Sequence, residues 1–200
     1  MAIQWDNSWN EQRKNTVKGG LERIEAMLIK AYVSVKAVRR DDEYHRSSYL
    51  NHFDDNDLTH LDTVTNIIKL MYDRVTNINQ IITMSYVPDD AVFNALNVGS
   101  LPVGVTIHNV EAFVVHKGVA ESVPLQIFIG PSFFTGNVYI PNSANQRTGT
   151  GTILHELSHG VGNTNDHAYT WDNTYTNLNA NQRADNADSY RAYCQSFDNP

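Results

Sequence analysis

The chain has 200 residues, 41% of them apolar and 10% aromatic, which is enough to bury a real core in one globular domain. Its formal net charge is −7 and its Lys and Arg are scattered, which argues against a nucleic-acid groove or an acidic-membrane surface. No window of about 18 apolar residues occurs, so nothing reads as membrane-spanning. Met1 to Asn10 is polar and lacks the basic start and apolar run of a secretory signal. Cys194 is the only cysteine, which excludes an intramolecular disulfide. The expectation is export without a Sec signal, a domain of a longer secreted protein, or a reducing location.

The first half reads as helical. Val17, Leu21, Ile24, Leu28, Ala31, Val35 and Val38 recur at steps of three and four, which predicts a helix whose firm part begins near Leu21, after Gly19-Gly20. Asp41 to Asp57 reads as a connection, and its Asp54-Asp55-Asn56-Asp57 run as a solvated turn. The run lacks the glycine and distal glutamate of a calcium loop. A second stripe, Leu61, Val64, Ile68, Met71, Val75, Ile78 and Ile82, predicts a helix capped by Thr59.

Val103 to His116, Leu125 to Ile129 and Val138 to Ile140 are rich in β-branched residues and read as strands. From Gly149 the chain turns helical again, with Thr150 or Thr152 as a cap, and a last helix is expected near Ala187 to Phe197. Helices, then a small mixed sheet, then a further helix make an α+β order.

His155-Glu156-Leu157-Ser158-His159 carries the chemistry. Residues four apart lie on one helical face, so both imidazoles can meet one ion, while Glu156 can reach a water beside it. This is the zincin-like pattern of a peptide-bond hydrolase with His155 and His159 on zinc and Glu156 as general base. Catalytic zinc takes three protein ligands, so one is missing. A third histidine six residues after His159 would fall at Asn165, a poor ligand, and no glutamate follows Glu156. Chemistry favours an aspartate from the downstream chain, and Asp166 and His167 are nearest. His45, His52, His60, His108 and His116 are scattered and read as surface or core residues, and Cys194 as a packed one.

Gly151-Thr152-Ile153-Leu154-His155-Glu156-Leu157-Ser158-His159, followed by Asn163-Thr164-Asn165-Asp166-His167-Ala168-Tyr169, resembles the aspzincins, the family of deuterolysin and the fungal peptidyl-Lys metalloendopeptidases. The resemblance implies Asp166 as third ligand and Tyr169 as the donor that polarises the substrate carbonyl. Asn186-Ala187-Asp188-Ser189-Tyr190 is similar to the family's Asn-Ala-Asp segment, and Gln126 to Phe134 to its strand and Pro-aromatic turn. There are departures. Asn163 replaces a family glycine, the loop from His159 to Asp166 is shorter than in the fungal enzymes, and Arg191 stands where the Lys-specific members carry a second pocket carboxylate. By the resemblance Asp188 and Arg191 are substrate-binding.

The expectation is a single domain over 1–200, with a helical part over about 1–98 and the sheet and zinc site over about 99–200. It would be a zinc endopeptidase acting on a protein or peptide laid along an edge strand, either Val138 to Ile140 or Leu125 to Ile129. Two rivals are a delivered toxin with the same chemistry, which would call for an inhibitor or immunity protein, and a non-catalytic module stabilised by zinc. Glu156 argues against the second, because a structural site needs no base.

Overall fold

The stripe from Val17 to Val35 is buried along one long helix, α1 (Glu11–Ala37), in a computed structural model that describes residues 2–40, 42–139 and 147–198. Before it lies β1 (Ala2–Trp5); after it come α2 (Glu43–Phe53), α3 (Leu61–Thr76), β2 (Ile81–Tyr86) and α4 (Asp90–Ala95). β3 (Ala112–Val114), β4 (Leu125–Ile129), α5 (Gly149–Gly162), α6 (Ala180–Ala184) and α7 (Ala187–Gln195) complete the order. The α+β class is the one expected.

Helix α1 begins ten residues earlier than Leu21. The Asn10 side chain caps it by accepting the Arg13 N–H. Gly19 and Gly20 stay helical and serve packing: a Cβ on Gly19 would lie 3.2 Å from the Tyr139 hydroxyl, and one on Gly20 3.3 Å from Thr150 in α5.

Three further expectations give way. The supposed connection after Asp41 contains α2, capped by Asp42, and its Tyr49 and Phe53 are fully buried, with Phe53 against Tyr190 and Tyr193 of α7. Asp55 is buried rather than solvated; it accepts from the Tyr49 hydroxyl at 2.8 Å and the Thr59 and His60 N–H groups at 2.9 and 2.7 Å. Thr59 is therefore held by Asp55, and α3 starts at Leu61 with no side-chain cap.

Helix α3 also stops at Thr76. Asn77 turns extended and its side chain accepts the Asn79 N–H, which leaves Ile78 exposed and starts a strand at Ile81. Ile82 continued the helical stripe in spacing only.

The sheet runs β1-β2-β4-β3, with β1–β2 and β2–β4 parallel and β3–β4 antiparallel. Two of its strands come from the part expected to be helical, so the division near residue 98 does not hold. Strand β4 is flanked on both sides and offers no free edge, which removes Leu125 to Ile129 as the substrate edge. Most of Val103 to His116 is loop and a short 3-10 turn, with strand only at Ala112–Val114. Val138 and Tyr139 form a bend, and Ile140 lies outside the described residues.

Helix α5 is the centre of the molecule. It packs against α1, α3, α7, β3 and β4, and all its residues from Gly149 to Val161 except Thr152 are buried. One apolar cluster joins α1, α2, α3, the sheet, α5 and α7. Each large side chain sealed there contributes about 1.5–3 kcal/mol. Arg74 of α3, 1% exposed, donates to the Val119, Ala120 and Val123 carbonyls and so fixes the loop between β3 and β4.

Candidate metal centre and substrate cleft

Thr148 starts α5, its hydroxyl accepting the Gly151 N–H at 3.0 Å; neither expected cap, Thr150 or Thr152, plays that part. Two turns later His155 and His159 point the same way, their Nε2 atoms 3.0 Å apart. The helix ends at Asn163, which is left-handed at φ 57° and passes its N–H to the His159 carbonyl. Asparagine tolerates that conformation, so replacing the family glycine preserves the turn. The chain then returns and places Asp166 Oδ1 2.9 Å from His155 Nε2 and 3.2 Å from His159 Nε2.

Those three donor atoms fit zinc. Tetrahedral coordination at about 2.0–2.1 Å spaces its ligands by roughly 3.3 Å, close to the separations found, and two imidazoles with one carboxylate are a donor set zinc accepts. The histidine side chains are 8% and 4% exposed and Asp166 is 51% exposed, so the cluster is closed by the helix and open on the Asp166 side.

The ring nitrogens facing away are also engaged. His159 Nδ1 lies 2.8 Å from the Thr164 carbonyl, which puts the proton on Nδ1 and leaves the Nε2 lone pair for a metal. Lys117 Nζ donates to the same carbonyl at 2.9 Å. His155 Nδ1 faces Asp188 Oδ1 at 3.7 Å, an electrostatic contact rather than a hydrogen bond. Burial alone would lower the His155 pKa, but Asp166 and Asp188 outweigh it and lift the ring to about 9. Asp166, partly desolvated yet facing both histidines, is held well below the usual carboxylate range.

His167, the other candidate ligand, turns aside. Its Nε2 meets Asp185 Oδ2 at 2.9 Å and its N–H meets the Asn186 side chain. Asn186 grips the returning loop, Asn165 and Asn186 form a parallel β-bridge, and Asp188 accepts the Thr170 N–H at 2.6 Å. The Asn-Ala-Asp segment thus organises the loop that carries Asp166.

Glu156 is 7% exposed beside a cleft of about 270 Å³ that His155, Tyr169, Trp171, Asp188 and Arg191 also line. Burial pushes its pKa up, and the charges of His155 and His159 oppose that. Tyr169 lies 5.7 Å from the His155 ring and stacks on Trp171 at 4.9 Å with the planes 6° apart. Burial, with Asp166 and Glu156 nearby, raises its hydroxyl to about 12, so it stays a proton donor at neutral pH.

Glu111, Arg147 and Trp171 also line the cleft and were not singled out in the sequence, and Thr152, expected only as a helix cap, lines it too. Thr152 donates to Glu111, and Arg147 pairs with it at 2.7 Å. Thr152 lies in the quoted motif; Glu111 and Arg147 carry no local signal.

The fold is that of a zinc peptidase. A zinc peptidase from Grifola frondosa superposes with a TM-score of 0.63 over 94% of this chain and 97% of that one, at 13% sequence identity. No curated protein matches the chain in sequence. A family model described as lysine-specific metallo-endopeptidase, the aspzincins, matches residues 38–195, and the chain belongs to that family. It is accordingly a zinc-dependent metalloendopeptidase.

Proposed function

We propose that the chain works as one unit that hydrolyses peptide bonds with His155, His159 and Asp166 as zinc ligands, Glu156 as general base and Tyr169 as carbonyl donor. The observation that carries this reading is the convergence of His155 Nε2, His159 Nε2 and Asp166 Oδ1 at 2.9–3.2 Å beside the buried carboxylate of Glu156. Zinc held there would polarise the scissile carbonyl and acidify water. Glu156 takes the proton from the attacking water and passes it to the leaving amine. Its raised pKa suits both halves of that task. Tyr169 donates its hydroxyl hydrogen to the carbonyl oxygen as charge develops there.

Strand β3 is the edge that supports substrate binding. It packs on α5, Ala112 lines the cleft, and its outer side carries no strand among the described residues. A peptide laid along it would continue the sheet.

The test is to incubate the purified chain with a denatured protein. Fragments should appear with zinc, vanish with a chelator and return when zinc is restored. Activity indifferent to chelation would overturn the reading.

A further inference from the structure

The cleft beside Glu156 is lined by two ion pairs. Asp188 and Arg191, each 1% exposed, lie at its deep end. Arg191 Nε meets Asp188 Oδ1 at 2.5 Å and Nη2 meets Oδ2 at 2.9 Å, a fork on a carboxylate. Nη1 donates to Gln195 Oε1 and Nη2 also to Thr170 Oγ1. Gln195 is itself tied to Thr148, the cap of α5, at 2.9 Å. Nearer the mouth, Arg147, half exposed, pairs with Glu111, which Thr152 also holds.

Asp188 has little left to offer a newcomer. It takes the Thr170 N–H and both arms of Arg191, and it faces His155. A lysine ammonium entering the cleft would have to share the carboxylate with a buried guanidinium or displace it. Displacement would strand a buried cation, which is strongly unfavourable. An acidic side chain fares no better, because it would meet the Glu156 and Asp188 carboxylates, while Arg191 is already forked on Asp188 and Arg147 already lends its Nε to Glu111. What remains is apolar surface: Trp171, 42% exposed, with Tyr169 stacked on it and the Arg191 guanidinium 5.1 Å from its ring.

We propose that this cleft selects an uncharged apolar or aromatic substrate side chain, and that Arg191, by neutralising Asp188 from within the pocket, is the residue that bars lysine. The chain thus departs from the specificity its family's description carries. The proposal rests on the peptidase reading above and names the substrate class of the same site.

The experiment is cleavage-site profiling by mass spectrometry on a denatured protein mixture, using the zinc-loaded chain and its Arg191→Met and Arg191→Glu variants, with zinc content and circular dichroism recorded for each. The unmodified chain should enrich Phe, Tyr, Leu or Met at one position flanking the cut and show no enrichment of Lys. Freeing Asp188 should raise Lys relative to apolar residues by roughly ten- to hundred-fold, the scale of one buried charge-assisted contact. Cuts by the unmodified chain falling chiefly beside Lys would overturn the proposal and leave the peptidase reading intact. Folded, zinc-bound variants whose Lys frequency does not move would overturn the role of Arg191. If neither variant folds, the unmodified chain's profile decides the selectivity. No cleavage at any bond by the zinc-loaded chain would instead overturn the peptidase reading, and this proposal with it.

Discussion

Asn186 holds Ala168 by both ends of its side-chain amide: Oδ1 accepts the Ala168 N–H at 3.3 Å and Nδ2 donates to the Ala168 carbonyl at 2.8 Å. The same Oδ1 accepts the His167 N–H at 2.9 Å. Asp166 is therefore positioned by an amide twenty residues downstream that never touches the metal site. Outer contacts of this kind tune metal affinity by about 10- to 100-fold. Asn186→Asp keeps the shape and Oδ1 but loses the Nδ2 donor, and zinc affinity measured by competition with a chromophoric chelator should fall within that range. Unchanged affinity would show that the β-bridge and the Asp185 and Asp188 contacts position the loop without that donor.

Asp166 itself should matter far more than its neighbour. Asp166→Ala removes the third donor and should lose zinc and proteolysis together. His167→Ala removes a surface contact with Asp185 and should keep much of both. Elemental analysis of the two purified variants, alongside their activities, reads this directly. The reverse order would exchange their roles.

How much of this was legible before the structure depends on sequence distance. His155, Glu156, His159 and Asp166 lie within one helix and one turn, so spacing and residue chemistry were enough to single out three of them as candidates and to bring Asp166 into the choice. The contacts that hold them cross much longer separations. Lys117 reaches Thr164 over 47 residues, and Thr152 reaches Glu111 over 41. Helical stripes were clear in α1 and the body of α3, where one buried face sets the period. They misled at Ile82, where a strand residue happened to fall on the helical step. β1 is too short to show a period, and α2 is polar enough on its outer face to pass for a loop. The chemistry was local; the scaffold around it was not.

Tyr169 is 39% exposed and stacks on Trp171. Tyr169→Phe preserves that stack and removes only the hydroxyl. Turnover should drop about a hundred- to a thousand-fold, the usual cost of one donor to a developing oxyanion, while zinc content and KM stay near the parent values. An unchanged kcat would reduce Tyr169 to a wall of the cleft.

Gly130 offers a test of the scaffold rather than of the chemistry. It follows β4, and its N–H donates to the Glu111 carbonyl at 2.8 Å. A Cβ there would collide with the Val110 carbonyl oxygen and lie 3.2 Å from that of Ile107, so backbone would have to move. Gly130→Ala should cost about 1–3 kcal/mol and lower the melting temperature by roughly 3–10 °C in a chain of this size. Gly136, with nothing within 4 Å of its Cβ position, is the control, and Gly136→Ala should melt within about a degree or two of the parent. Equal melting of the two variants in calorimetry would show that the Val110 to Glu111 segment yields without cost.

Glu156 is the residue on which base catalysis and metal binding separate. It stands between the two histidines in sequence, yet it lies outside the cluster of His155, His159 and Asp166 donor atoms and lines the cleft instead. Glu156→Gln keeps the size and the hydrogen-bonding ability of the side chain and removes only its capacity to take a proton. Zinc should remain bound at about one ion per chain, because none of the three donors changes. Proteolysis should fall by at least about a hundred-fold, the lower bound for removing a positioned general base. Zinc retained with activity lost places the carboxylate on the proton. Zinc lost as well would make Glu156 part of the metal site, and activity retained would require another base among the cleft residues, of which Glu111 is the nearest in kind.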